Sequence, residues 1–317
     1  MVRRNSNKIE PSVMTVSFTG LSAAANTIQR EYIDLSQVAS LLNRRFYRQG
    51  LNWAVAGFKI NGNTTGSDVL IGVEKLQNTW TTAGSWEKTM RHWLKQQNDA
   101  AKESGTQSTI ARFRDYKVLM DSQHVIDYNA AAGDLNATNL IPAGYATGEW
   151  EASQVVIPND GAPGTTGEYV LKMVGASDAS AKGIMEGYAL SRSVPQSPDP
   201  ATPALASNSW LASMEDVGDN QTEILDNAQD KNNDLPYPQN DYVGAVFNNL
   251  QLHDTVYHTG TTIGRISRLK GGNFPCGLIK LEVVNLGGDS AAFSYSLQID
   301  LVPGNHRGYL AEPMTEM

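Results

Sequence analysis

Phe293-Ser294-Tyr295-Ser296-Leu297-Gln298-Ile299-Asp300-Leu301 alternates apolar and polar residues without a break. Successive side chains of an extended chain point to opposite faces, so this segment is a β-strand with one face on a core. Just before it, Ile279, Leu281 and Val283 alternate with Lys280 and Glu282, a second half-buried strand. The link Asn285-Leu286-Gly287-Gly288-Asp289-Ser290 supplies the residues that a reversal needs, so the two strands are expected to form a hairpin.

Working outward, the same alternation recurs at Met14, Val16 and Phe18, and at Val69, Ile71 and Val73. Residues 51–60 read as a strand closed by Asn61-Gly62-Asn63, and 149–157 as one stopped by Pro158. Strands are also expected at 168–174, 183–192 and 246–257, while 262–269 is ambiguous because Ile263, Ile266 and Leu269 recur at helical spacing. Two helices stand out. Residues 34–48 put Leu35, Val38, Leu42 and Phe46 on one face, with Gly50 just beyond the end. Residues 86–103, capped by Ser85, repeat Trp86, Met90, Trp93, Leu94 and Gln97. A short helix fits 220–230. The absence of βαβ alternation argues against a doubly wound parallel sheet. The chain is therefore expected to be all-β: one antiparallel β-sandwich over residues 13–317, with helical insertions, long loops and a short basic arm at 1–12. The Pro-, Asp- and Asn-rich stretch at about 193–243 is expected to project as a loop insertion.

Composition agrees with a folded, turn-rich chain. Charged residues make up 18% and glycines number 28, which argues against a coiled coil or a disordered polymer. No apolar run approaches the ~20 residues of a membrane helix, and the N-terminal segment lacks the apolar stretch of a secretory signal. Cys276 is the only cysteine, which excludes an intrachain disulfide and a cysteine-based metal cluster. Charge is polarised: residues 1–118 carry +7 and residues 119–317 carry −15, within a net of −8. Such asymmetry points to a polyanion on one side of the molecule.

Catalytic signatures are missing. There is no GxxxxGK[ST], GxSxG or HExxH, and Gly161, Gly164 and Gly167 sit in a Pro-containing loop with no helix behind them. The five histidines are scattered. A calcium loop starting at Asp230 fails because Leu235 and Asp241 stand where Gly and Glu are required. No cofactor or metal is expected. Glu149 and Glu151 flank Trp150, and in a strand their carboxylates would share a face about 6.5–7 Å apart at the backbone, within the range used by glycosidases. That pair, with Trp150, Trp53 or Trp210 as a sugar platform, defines the alternative expectation: a glycan-binding or glycan-hydrolysing β-sandwich.

The basic residues define the other expectation. Arg3, Arg4 and Lys8 in the arm, Arg44, Arg45 and Arg48 on the first helix, Arg91 and Lys95 on the second, and Arg112, Arg114 and Lys117 beyond it make a basic inner face. Such residues neutralise phosphates without reading sequence, and Tyr47 and Trp53 are placed to stack on unpaired bases.

The sandwich with helical insertions, the basic N-terminal third, the segment Tyr237-Pro238-Gln239-Asn240-Asp241-Tyr242 and the final run Leu301-Val302-Pro303-Gly304-Asn305-His306-Arg307-Gly308-Tyr309 together resemble capsid proteins of small circular single-stranded DNA viruses, closest to the smacovirus group. The resemblance implies a single eight-stranded jelly roll with no enzymatic activity. It also implies self-assembly of copies into an icosahedral shell, the virion, that encloses a single-stranded genome by sequence-independent contacts. One departure is the absence of an arginine-rich arm, so genome contacts are expected to be weak per subunit and multivalent.

Overall fold

A computed structural model describes residues 12–63, 68–109, 114–158, 160, 163–193, 249–260, 262, 265–286 and 292–314. Among these, most strands lie in antiparallel sheets, and two of the sheets stack as a β-sandwich. The first contains β1 (Thr15–Ala23), β11 (Phe293–Leu301), β3 (Leu51–Gly62) and β9 (Ile266–Phe274), paired in that order. The second contains β2 (Ile28–Asp34), β10 (Leu278–Asn285), β4 (Val69–Lys75) and β8 (Gln251–His258), again in that order. The alternation that defines β11 is realised directly: Phe293, Tyr295, Leu297, Ile299 and Leu301 are all buried, facing Ile279, Leu281 and Val283 of β10 across the core. Each such side chain contributes roughly 1.5–3 kcal/mol of burial.

The expected hairpin is not formed. β10 pairs with β2 and β4, and β11 with β1 and β3, so the link crosses from one sheet to the other. Two strands with one apolar face each can bury those faces side by side or against one another. The partners waiting on either side of each strand select the second arrangement. Four connections, 24–27, 63–68, 259–265 and 286–292, join the two sheets at one end. Backbone bonds from Asn285 to Thr27, Leu286 to Asp68 and Asn63 to Ser294 tie that end together.

The other end carries the bulk. β4 and β8 are antiparallel neighbours, yet residues 76–250, more than half the chain, lie between them. The described part of this insertion holds α2 (Trp80–Glu103), α3 (Ser122–Ala130), α4 (Leu135–Thr138), the small sheet β5 (Gln154–Pro158), β6 (Thr166–Lys172) and β7 (Ala181–Gly183), and α5 (Ile184–Ser193). Trp86, Trp93, Tyr116, Met120 and Met185 pack there with Leu278 and Met314 of the sandwich in one continuous cluster. The projecting loop expected at 193–243 and the helix expected at 220–230 lie outside the described residues, apart from Ser193.

Five local expectations change. The segment 183–192 belongs to α5 rather than a strand beyond its first residue, and 149–153 is irregular, so the strand before Pro158 begins only at Gln154. Within the ambiguous 262–269, residues 266–269 form the start of β9, where period two wins because Leu269 faces the core, while Ile263 lies outside the described residues. The first helix, α1 (Leu35–Asn43), is capped by the Asp34 carboxylate and stops at Arg44, which takes a left-handed φ of 54°. It ends early because the Ser40 hydroxyl accepts from the Tyr47 amide and turns the chain inward, packing Tyr47 against Trp53 and Tyr309. The second helix starts one and a half turns early, capped by Thr79 instead of Ser85.

Beyond Leu301 the chain makes a short excursion, β12 (Pro303–Gly304) and β13 (Gly308–Tyr309), and then rejoins β3 as β14 (Ala311–Pro313), continuing the line of β11. Cys276 sits under this tail, fully buried, with its amide directed at the Met314 sulfur and its thiol pKa pushed up by burial. Native protein at pH 8 is therefore expected to leave a thiol reagent such as dithionitrobenzoate unreacted until it is unfolded in denaturant. A stoichiometric reaction within minutes of mixing under native conditions would contradict this packing.

Candidate nucleic-acid interface

Arg44, Arg45 and Arg48 do not share a helix face. They lie on the irregular segment after α1, where Arg44 and Arg48 are exposed. The β12–β13 turn brings a further cation to them. The Arg307 carbonyl accepts from Arg45 Nη1 at 3.5 Å, from the Tyr47 hydroxyl at 3.0 Å and from the Ser12 hydroxyl at 2.9 Å. Arg307 Nη1 in turn donates to the Phe46 carbonyl, and its guanidinium stands 6.0 Å from the Tyr47 ring centre. Arg48 stacks over Phe46 at 5.7 Å. Arg44, Arg48 and Arg307 form no ion pair among the described residues. The chain also enters here. The Val13 amide donates to Asn43 Oδ1, and the Tyr309 hydroxyl donates to the Val13 carbonyl.

Beside this patch opens a cleft of about 650 Å³. Its apolar wall comes from Phe46, Leu51, Trp86, Met90, Pro313 and Met314, and Arg48 and Arg307 add the cationic lining beside His306. Trp86 of α2 lies on Gly50, where a Cβ would come 2.1 Å from the ring and where φ is +100°. Only glycine allows this approach. Trp86 is buried, and its Nε1 has no hydrogen-bond partner among the described residues. Burial and the adjacent Arg307 charge hold the His306 pKa below the usual histidine value, so its neutral form is favoured.

The remaining expected residues divide. Arg91 and Lys95 are exposed one turn apart on α2, and Arg114 reaches the same helix by donating to Asn98 Oδ1 at 2.8 Å. Arg91 also pairs with Glu87 one turn back. Lys117 instead faces inward over the Trp150 ring at 4.4 Å. Arg3, Arg4, Lys8 and Arg112 lie outside the described residues. Arg307 and His306 escaped sequence reading as site residues because no periodicity marks them. Their only signal was a cationic turn between Gly304 and Gly308.

The glycan site does not assemble as expected. Trp150 is buried with Leu119, Val125 and Tyr128, capped by Lys117, and Trp53 is fully buried. Glu149 and Glu151 are exposed on irregular backbone, so strand spacing does not apply to them. Trp210 lies outside the described residues. Tyr47 and Trp53, expected to stack on bases, are core residues.

A polar joint fixes the insertion to the sandwich. Lys280 points away from the core, yet it is buried because the insertion covers it. Its ammonium contacts Asp121 at 3.2 Å and Glu74 at 2.9 Å. Asp121 also accepts from the Tyr32 hydroxyl at 3.0 Å and, as the cap of α3, from the His124 amide at 2.8 Å. The His124 ring stacks on Tyr32, accepts from the Met120 amide through Nδ1, and so donates through Nε2 to Asn139 Oδ1. Burial lowers its pKa to about 4, so the ring is neutral at pH 7. Nearby, burial raises Asp115 to about 7.

No family model, curated protein or solved structure matches the chain. Among the described residues, no helix is long and apolar enough to cross a membrane.

Proposed function

We propose that this chain is the shell subunit of a virus particle: an eight-stranded jelly roll, without enzymatic activity, that assembles with copies of itself around a single-stranded DNA genome. The observation that carries this reading is the pairing order, β1-β11-β3-β9 stacked on β2-β10-β4-β8. Every connection but one changes sheet, which supports a double-sheet jelly roll, an architecture used by viral capsids and by lectins. Burial of Trp150 and Trp53 weighs against the lectin branch, since a sugar platform needs an open aromatic face. The cationic patch weighs for the capsid branch. Four arginines, Arg44, Arg45, Arg48 and Arg307, gather beside Ser12 and Val13.

In this reading, assembly proceeds through heterologous contacts that close into an icosahedral shell, and the virion is where the protein resides. Negative-stain microscopy of the purified full chain tests it. Uniform closed particles that protect nucleic acid from nuclease are the expected result. Particles carrying Arg44→Ala, Arg45→Ala and Arg48→Ala together are expected to hold markedly less nucleic acid. A chain that stays monomeric across salt and pH overturns the proposal.

A further inference from the structure

We propose that the cleft between the 46–51 segment, α2 and the C-terminal strand receives an unpaired base of single-stranded nucleic acid, with the adjoining phosphate held by Arg48 and Arg307. This rests on the nucleic-acid reading above and adds a defined base subsite to it. Three features of the cleft point the same way. At about 650 Å³ it falls in the range of sites that enclose small organic groups, about 300–1,000 Å³. One wall is aromatic and thioether, from Phe46, Trp86 and Met90, which suits a flat, polarisable ring. Trp86 is seated on Gly50, which fixes this wall of the cleft in place.

Charge decides the chemical class. The two guanidiniums in the lining carry no ion pair among the described residues, and the planar donor fork of arginine matches phosphate oxygens. A lone anion would be served by those two. Arg44 and Arg45 continue the positive surface beyond the cleft, which fits a polymer whose next phosphates leave it.

The test uses fluorescence anisotropy of the full-length protein with a labelled oligodeoxythymidylate about ten nucleotides long, compared with an abasic deoxyribose-phosphate chain of equal length. The base-bearing chain is expected to bind at least about fivefold more tightly, the lower end of one stacked base. Phe46→Ala is expected to reduce that ratio towards one, while Arg48→Gln with Arg307→Gln weakens both chains. Because Phe46→Ala also removes packing from this corner, ultraviolet cross-linking of the unaltered protein gives a second readout, with cross-links expected on peptides containing Phe46, Trp86 or Met90. Equal affinity for the two chains overturns the base subsite, as does decanoate displacing the oligomer at lower concentration than thymidine monophosphate. If particles still package DNA when the two chains bind equally, the shell reading survives and the subsite falls. If base preference is clear in a chain that never assembles, the reverse holds.

Discussion

Replacing Asp121 with alanine is expected to destabilise the protein by about 3–5 kcal/mol, the cost of removing one partner of a buried ion pair. The carboxylate holds Lys280, the Tyr32 hydroxyl and the first turn of α3 at once, so its loss leaves the buried ammonium with Glu74 alone, strands the Tyr32 hydroxyl and frees a helix end. Glu282→Gln provides the contrast. The Arg30–Glu282 pair lies across the same strands at 3.2 Å but is about a third exposed, and its loss is expected to cost under about 1 kcal/mol. Urea titration of the three proteins measures the difference, and equal midpoints for the two variants would remove the joint from the account. Burial alone would lower the Lys280 pKa, but attraction to Asp121 and Glu74 outweighs it and leaves the pKa raised. Stability from a raised lysine is complete below its unfolded value of 10.5 and is lost only as pH climbs through the higher folded value, so this joint holds across the neutral range.

Asp115 behaves in the opposite way. Its side chain is 2% exposed, and neither carboxylate oxygen has a hydrogen-bond partner among the described residues. Burial raises its pKa to about 7. Lys117, 3.9 Å away, and Arg48 oppose the rise, while Asp34 adds to it. A carboxyl with a raised folded pKa costs nothing while both states are protonated, below about 3.8. As pH rises from there to about 7 the unfolded chain ionises first, so stability drains away across that window. Asp115→Asn keeps the shape and removes the charge. It is expected to match the unaltered protein near pH 4 and to exceed it by roughly 2–4 kcal/mol at pH 8. Thermal or urea unfolding at both pH values checks this, and a gain of equal size at pH 4 and pH 8 would mean the carboxyl is not the cause.

What the sequence made legible was local. The period of β11 and of β10 announces two one-sided strands, and the structure buries those same faces. Their partners are not local, and nothing in 279–301 says that β2, β4, β1 and β3 will draw them apart. Lys280 reads as a solvent-facing position and is one with respect to its sheet. Only the insertion, distant in sequence, makes it a buried charge. The first helix is too long on paper because Phe46 keeps the apolar rhythm, whereas burying Tyr47 beside Trp53 stops the helix at Asn43. The candidate site was legible as a composition of cations. Its geometry was not, since Arg307 joins Arg45 through a backbone carbonyl 262 positions away.

The long detour between β4 and β8 has its own consequence. Closing a flexible loop costs free energy that grows with the logarithm of its length, so doubling it adds only about 0.6 kcal/mol. Two hydrogen-bonded neighbours can thus tolerate large gains or losses of sequence at this one seam while the layers behind them stay put. Folding speed carries the penalty instead, because β8 must find a neighbour synthesised more than 170 residues earlier. Lineages descended from this chain are expected to differ in size mainly here, and a nascent copy still on the ribosome holds β4 without its mate until most of the polypeptide has emerged.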